Sequence, residues 1–332
     1  MNGTAPENWA FLSGRVAAME SKLIRNDVIQ RMAAIEQFND VFLAVSDTAY
    51  KDAFPIIEKL YEADSIISGV YNDRLAEMAR YSPQPEVVEL FRIGDDFRSF
   101  KAFLKNQLAG LQLPVNGGRI PDAAWQRVLD GLKTDLPPFW YDAVAIIRRE
   151  CEGQPELAPQ TIDLVLDSAL LARQVELAGI IGAPLIIEWA SRRKIVRAIE
   201  VVWRAKTGGY DMGRLQRLFL RGELADPLLR ELADLALDGW PERLRPTFIG
   251  PIVDDVFAQS GTGQVTRFAR RADDLLLELV KRAKSVPFGP ERIFGYLCAL
   301  RTEVQNLRLI LAGKVNKINS RLLQERLREQ YV

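Results

Sequence analysis

Apolar residues recur along most of this chain at three- to five-residue steps, the signature of α-helices that bury one face. Phe11, Val16, Met19, Leu23 and Ile24 form one such series. Leu164, Leu166, Leu170, Leu171, Val175 and Leu177 form another, and the stretches Leu275–Val280 and Ile293–Val315 read the same way. Strict alternation, which a half-buried strand needs, is scarce. Breaker clusters punctuate the helical stretches at Leu113–Pro121, Asp135–Pro138, Glu152–Pro159, Thr207–Gly213, Ser260–Gly263 and Val286–Pro290. Each is short, so it marks a turn between helices rather than a linker. The pattern predicts an all-α protein.

The same pattern predicts an internal repeat. With Ser99, Ala198 and Asn306 placed in register, the next position is apolar in all three copies: Phe100, Ile199 and Leu307. Further on stand Phe103, Val202 and Ile310, then Leu104, Trp203 and Leu311. Upstream stand Phe97, Val196 and Val304, then Leu90, Trp189 and Leu297, then Val87, Ile186 and Phe294. One position past the first apolar set all three copies are charged, as Lys101, Glu200 and Arg308. Pro83, Pro184 and Pro290 lie upstream, and proline suits the first turn of a helix because its missing N–H has no partner there. The copies recur at intervals of roughly 100 residues. Three helical units are therefore expected, over residues 1–118, 119–220 and 221–332. Each holds a helix of about 18 residues, ~27 Å long. A breaker and a second amphipathic helix follow, at Asp122–Leu132, Gly213–Leu220 and Asn319–Tyr331.

Composition narrows the function. Hydrophobic residues make up 48% of the 332, enough for a sizeable core. Lys plus Arg (44) balances Asp plus Glu (44), so the basic excess of a nucleic-acid footprint is missing. There is no histidine, which excludes Ser-His-Asp and Cys-His catalysts and the commonest metal ligand. Cys151 and Cys298 cannot build a zinc site alone and read as buried thiols in a reducing compartment. The apolar stretch Leu177–Ile187 is broken by Gly179, Gly182 and Pro184 and is about half the ~20 residues a membrane span needs. Residues Met1–Asn8 lack the basic and apolar regions of a secretory signal. These features predict a soluble intracellular protein, able to dock on a membrane complex.

No constellation reads as a catalytic, metal or cofactor site. Ser260–Thr266 (SGTGQVT) lacks the lysine of a phosphate-binding loop and reads as a flexible loop. Asp95/Asp96, Asp254/Asp255 and Asp273/Asp274 are neighbours that diverge by ~100° on a helix, so they read as solvated or N-terminal carboxylates. The basic runs Ser191–Lys194, Arg267–Arg271 and Lys281–Lys284 read as solvated faces, or else as docking patches. Trp189 and Trp203 fall on the repeated apolar face and are expected in the core, whereas Trp9 is a candidate interface residue.

One segment carries a family resemblance. PFGPERIFGYLCALRTEVQNLRLILAGKVNKI (Pro287–Ile318) resembles the C-terminal signature of the C-type subunits of the A/V-type rotary ATPases, a family related to the d-type subunits of the V-type enzymes. Glu303, Asn306, Leu307, Arg308, Gly313 and Lys314 match that signature, and Arg321–Val332 is similar to the family's terminus. Trp9–Val16, Asp47–Phe54, Asp95–Gly110 and Val196–Gly209 resemble further family segments, although Ser99 and Ala198 stand where the family often has asparagine. The resemblance implies a non-catalytic central-stalk subunit made of three helical units around a pseudo-threefold axis, forming a funnel. It implies central-shaft subunits of the D and F type and a membrane ring of proteolipid subunits as partners. One copy would serve each complex, peripheral to the membrane, with no cofactor. Lys101, Glu200 and Arg308 are the interface candidates, as equivalent charges of the repeat. A helical-repeat scaffold of another soluble assembly explains the repeat equally well and the C-terminal signature poorly.

Overall fold

The computed structural model describes residues 6–332 apart from 38, 46–47, 49, 51–59, 116, 259–260 and 262. Among the described residues every regular element is helical, as the periodicity predicts. The α-helices are α1 (Pro6–Glu20), α2 (Asn26–Ala34), α3 (Leu60–Tyr81), α4 (Glu86–Ala109), α5 (Asp122–Leu129), α6 (Pro138–Cys151), α7 (Ala158–Ile181), α8 (Pro184–Thr207), α9 (Met212–Leu218), α10 (Pro227–Asp234), α11 (Trp240–Leu244), α12 (Gly250–Phe257), α13 (Gln264–Lys281), α14 (Pro290–Val315) and α15 (Ser320–Arg326). Pro184 and Pro290 open α8 and α14, while Pro83 lies shortly before α4. Gly289, at φ 137°, makes the turn into α14 in a conformation that side-chain-bearing residues rarely adopt.

Most of the Asp47–Phe54 resemblance lies outside the described residues, as do Ser260 and Thr262 of the SGTG loop. Gly263, at φ 110°, precedes α13.

Contacts gather the chain into two compact units. One comprises Met1–Val88, Ile181–Trp189 and Asp254–Val332; the other comprises Glu89–Ile180 and Ala190–Val253. This is a partition by contact, whereas the repeat is a partition by sequence similarity.

The first unit is built on α14. This helix is buried almost all round, with every residue from Ile293 to Leu300 in the interior. Such a helix reads as a core rod rather than a surface helix. Its C-terminal half joins Val304, Leu307, Ile310 and Leu311 to Ile29 and Met32 of α2, Ala63 and Ile67 of α3, and Leu323 of α15. Helix α13 lies against it through Phe268, Ala272, Leu276 and Val280.

The second unit has an aromatic centre. Phe97 and Phe100 of α4, Trp125 of α5 and Trp140 of α6 meet with ring centroids 4.3 to 5.2 Å apart. Trp203 of α8 meets Trp240 of α11 at 5.2 Å, and the Trp240 indole N–H donates to the Leu232 carbonyl. These rings supply large buried area with a defined geometry, and the indole dipole finds an acceptor.

Every apolar position of the repeat is buried, from Val87, Ile186 and Phe294 to Leu104, Trp203 and Leu311. Expectations fail at Trp9, Phe11, Cys151 and the C-terminal helix. Trp9 is 2% exposed and belongs to the core, because α1 turns its Trp9, Leu12 and Val16 face inward. Phe11, placed on the apolar series, is 60% exposed, since it sits on the opposite side of that helix. Cys298 is buried, but Cys151, the last residue of α6, is only half-buried. The C-terminal helix ends at Arg326, short of the expected Tyr331; Leu327, Gln330 and Tyr331 are buried without helical structure, and Leu322 is exposed.

Candidate functional site

The polar residues of the C-terminal signature lie in the first unit, where each ties α14 to a different segment. Glu303 is 1% exposed. Its Oε2 accepts the Ile24 backbone N–H at 2.6 Å, just ahead of α2, and the Tyr50 phenol interacts with the same carboxylate. Burial pushes the Glu303 carboxyl up to about 7, and the two donors act against that shift. Burial also raises the Tyr50 hydroxyl well above the ordinary tyrosine value.

Asn306, fully buried, pairs both ways with one backbone unit of the tail. Its amide Nδ2 donates to the Arg328 carbonyl at 2.8 Å, and its Oδ1 accepts the Arg328 N–H at 3.0 Å. An amide side chain offers both a donor and an acceptor in one plane, so it can replace a missing backbone partner. Arg308 reaches α3, donating to Asp64 at 2.6 Å and to the Ser68 hydroxyl at 2.8 Å. Lys314 donates to the Ala33 carbonyl in the last turn of α2 and to the Ser320 hydroxyl. That carbonyl has no partner within its own helix, and a cation suits a helix C-terminus. A Cβ at Gly313 would collide with Leu323 Cδ2, so only hydrogen lets α15 pack this closely.

The tail is held by side chains from α13 and from the turn that follows it. Arg328 pairs with Asp273 at 2.6 Å, and the Glu329 N–H donates to Asp274 at 3.1 Å. Lys284 donates to the Tyr331 carbonyl and lies over the Tyr331 ring. The sequence reading missed Arg328, Asp273 and Asp274 as partners. Nothing in their spacing pairs residues 55 positions apart.

The three repeat charges occupy different environments. Lys101 of α4 is held between Asp167 (2.7 Å) and Asp163 (3.2 Å) of α7. Glu200 of α8 is 3% exposed and clamped by Arg197 at 2.5 Å and Arg204 at 3.1 Å on its own helix. Arg308 lies at the surface with Asp64. The structure brings Lys101 and Glu200 into one unit and Arg308 into the other.

The basic runs are occupied within the chain. Arg192 lies over the Phe248 ring, Arg193 donates to Gln174 and Lys194 donates to the Glu223 carbonyl. Arg271 pairs with Asp255, Lys281 with Glu278 and Arg282 with Glu188. The adjacent carboxylates are likewise used as partners, Asp95 for Arg98, Asp96 for Arg119 and Asp273 for Arg328, and, against the expectation of solvated groups, Asp96 and Asp274 are buried within α4 and α13. No cluster of three or more Cys, Asp or Glu that could hold a metal occurs among the described residues. No helix among them is long and apolar enough to cross a membrane. The polar side chains of the signature act as links, Glu303 and Asn306 in the interior and Arg308 at the surface, and together they fix one register of α14 against its neighbours.

Comparison of the sequence with known proteins identifies a family. The family model of the ATP synthase (C/AC39) subunit matches residues 12–326. The C subunit of the V-type sodium ATPase of Enterococcus hirae is 21% identical over 96% of this chain and 98% of its own length. The match takes in both compact units and the whole of α14, and the chain belongs to the ATP synthase (C/AC39) subunit family.

Proposed function

We propose that this protein is a non-catalytic part of the rotor of a proton- or sodium-translocating V-type ATPase, a socket that couples the central shaft to the membrane ring. Its partners in this reading are D- and F-type shaft subunits and the ring of proteolipid subunits, with one copy per complex. The observation that carries the proposal is the end-to-end alignment with the C subunit of a V-type ATPase, which leaves no large part of either chain unmatched. The physics is consistent. A torque adaptor must be stiff, and densely packed helical interiors transmit strain with little compression. Three units over 1–118, 119–220 and 221–332 would surround a pseudo-threefold axis in a funnel, with Lys101 and Arg308 among the interface charges; Glu200, buried between Arg197 and Arg204, is not one of them.

The test uses the assembled complex. A tagged copy of the chain is purified from host membranes in mild detergent, and the complex should contain shaft-type and proteolipid subunits. Cross-linking the chain to the proteolipid ring should leave ATP-driven turnover intact, because both would rotate together. Absence of those subunits, or turnover arrested by that cross-link, would overturn the rotor assignment.

A further inference from the structure

Helix α1 buries one face and leaves the other bare. Trp9, Leu12, Ser13 and Val16 are buried, whereas Ala10, Phe11, Gly14, Arg15, Ala17 and Ala18 line the outer side. Ala10, Gly14 and Ala17 line a groove of about 480 Å³ whose opposite wall is Val286, Pro287 and Phe288. Exposed rings stand beside it: Phe11 at 60%, Phe288 at 50%, and Tyr81, which meets Phe11 edge-on at 5.4 Å.

Three observations describe the occupant. The first is shape. Small residues at helical spacing let a second backbone approach closely, and interaxial distances shrink with the side chains at the contact. A Cβ at Gly14 would meet nothing within 4 Å, so nothing inside the chain calls for glycine there.

The second is an unmet hydrogen bond. Ser13 is 4% exposed and lines the groove, and its hydroxyl has no hydrogen-bond partner among the described residues. A buried hydroxyl without a partner is costly, and its oxygen is covered as the side chain stands, so a turn about its Cα–Cβ bond would bring it to a visiting acceptor.

The third is charge. Beside the Phe11 edge, Arg15 and Arg74 share the single carboxylate of Glu77, and the Arg80 guanidinium lies 5.4 Å from the Tyr81 ring centre. On the other edge stand Lys284 and Arg292, of which Arg292 pairs with Glu20. Both edges carry a positive excess. Two copies of this face would repel each other, and an acidic partner would be drawn in.

We propose that the groove along α1 seats an acidic amphipathic helix of a partner protein. Its small or aliphatic face lies on Ala10, Gly14 and Ala17, and its carboxylates reach Arg80 on one side and Lys284 on the other. The inference stands on the surface of this chain and holds independently of the rotor assignment.

A photo-crosslinking amino acid placed at Ala10 of the full-length chain tests it in host membranes, with the same group at exposed Lys133 as the control. Mass spectrometry should identify one helical segment of another protein with acidic residues on both flanks. Gly14→Leu puts a side chain into the groove from a position where a Cβ meets none of the described atoms within 4 Å, and Arg80→Glu reverses the charge of one edge. Each should lower that cross-link by about tenfold, while the melting temperature of the isolated chain stays unchanged. A cross-link no stronger than the control overturns the proposal. So does one to lipid, to a second copy or to a segment without acidic flanks, or one that Arg80→Glu does not weaken. Co-purification of ATPase subunits from the same membranes reports separately on the rotor assignment.

Discussion

Glu303 and Ile24 lie 279 positions apart and share one hydrogen bond of 2.6 Å in the interior. The bond fastens the middle of α14 to the turn ahead of α2. It is one of several side-chain links by which α14 organises its unit, together with Asn306 to the tail, Arg308 to α3 and Lys314 to the end of α2. Each can be broken singly.

Glu303 should make stability depend on pH. Burial raises its folded carboxyl to about 7, against an ordinary value of 4.5 for glutamate. Because the folded value is the higher one, the unfolded chain loses this proton first as pH rises. The contribution is fully present below about 4.5 and is lost as pH climbs through about 7. In Glu303→Gln, which keeps an acceptor for the Ile24 N–H, urea midpoints should fall less steeply across that window than in the parent. Parallel curves would show that Glu303 does not titrate there.

Gly313→Ala should destabilise the chain by ~1–3 kcal/mol, the usual cost of overpacking. The added methyl collides with Leu323, which is fully buried. Against a Leu323→Ala background the same substitution should cost much less, because the colliding atoms are gone. A double-mutant cycle by urea denaturation checks this, and equal costs in both backgrounds would refute the steric account.

Asn306→Ala removes the Asn306 side-chain partner of the part-buried Arg328 N–H and carbonyl, the carbonyl keeping only a long contact to Gln330, at a cost of about 1–2 kcal/mol. The tail should then become the first site of proteolysis. Removing Arg321–Val332 goes further, since Leu323, Leu327 and Tyr331 leave the core and uncover the C-terminal half of α14. Assembly of the truncated chain into the ATPase should fail, as read by co-purification from membranes.

Leu307→Ala and Leu311→Ala should each cost ~2–5 kcal/mol. Both leucines are 1% exposed and sit in the cluster shared by α2, α3, α14 and α15. Chemical denaturation measures the loss. An unchanged midpoint in either would mean that the cavity closes without penalty.

Helix and core were legible in the sequence because both depend on local periodicity. An apolar stripe at helical spacing must be buried somewhere, and the repeat positions around Phe100, Ile199 and Leu307 are buried whatever they pack against. The family signature was legible too, as a string of letters. What those letters do was not. Spacing assigns Glu303 and Asn306 no partner, and the fold supplies Ile24 and Tyr50 to the one and Arg328 to the other. The positions of Trp9 and Phe11 were assigned the wrong way round for the same reason, since periodicity tells which residues share a face but not which face meets the core. The tail shows the limit most plainly: Arg328, Glu329 and Tyr331 are held by Asp273, Asp274, Lys284 and Asn306, partners distant in sequence. Periodicity along one stretch of chain determines secondary structure and burial. Pairing between distant polar groups is decided only when tertiary packing removes water and leaves each of them one available partner.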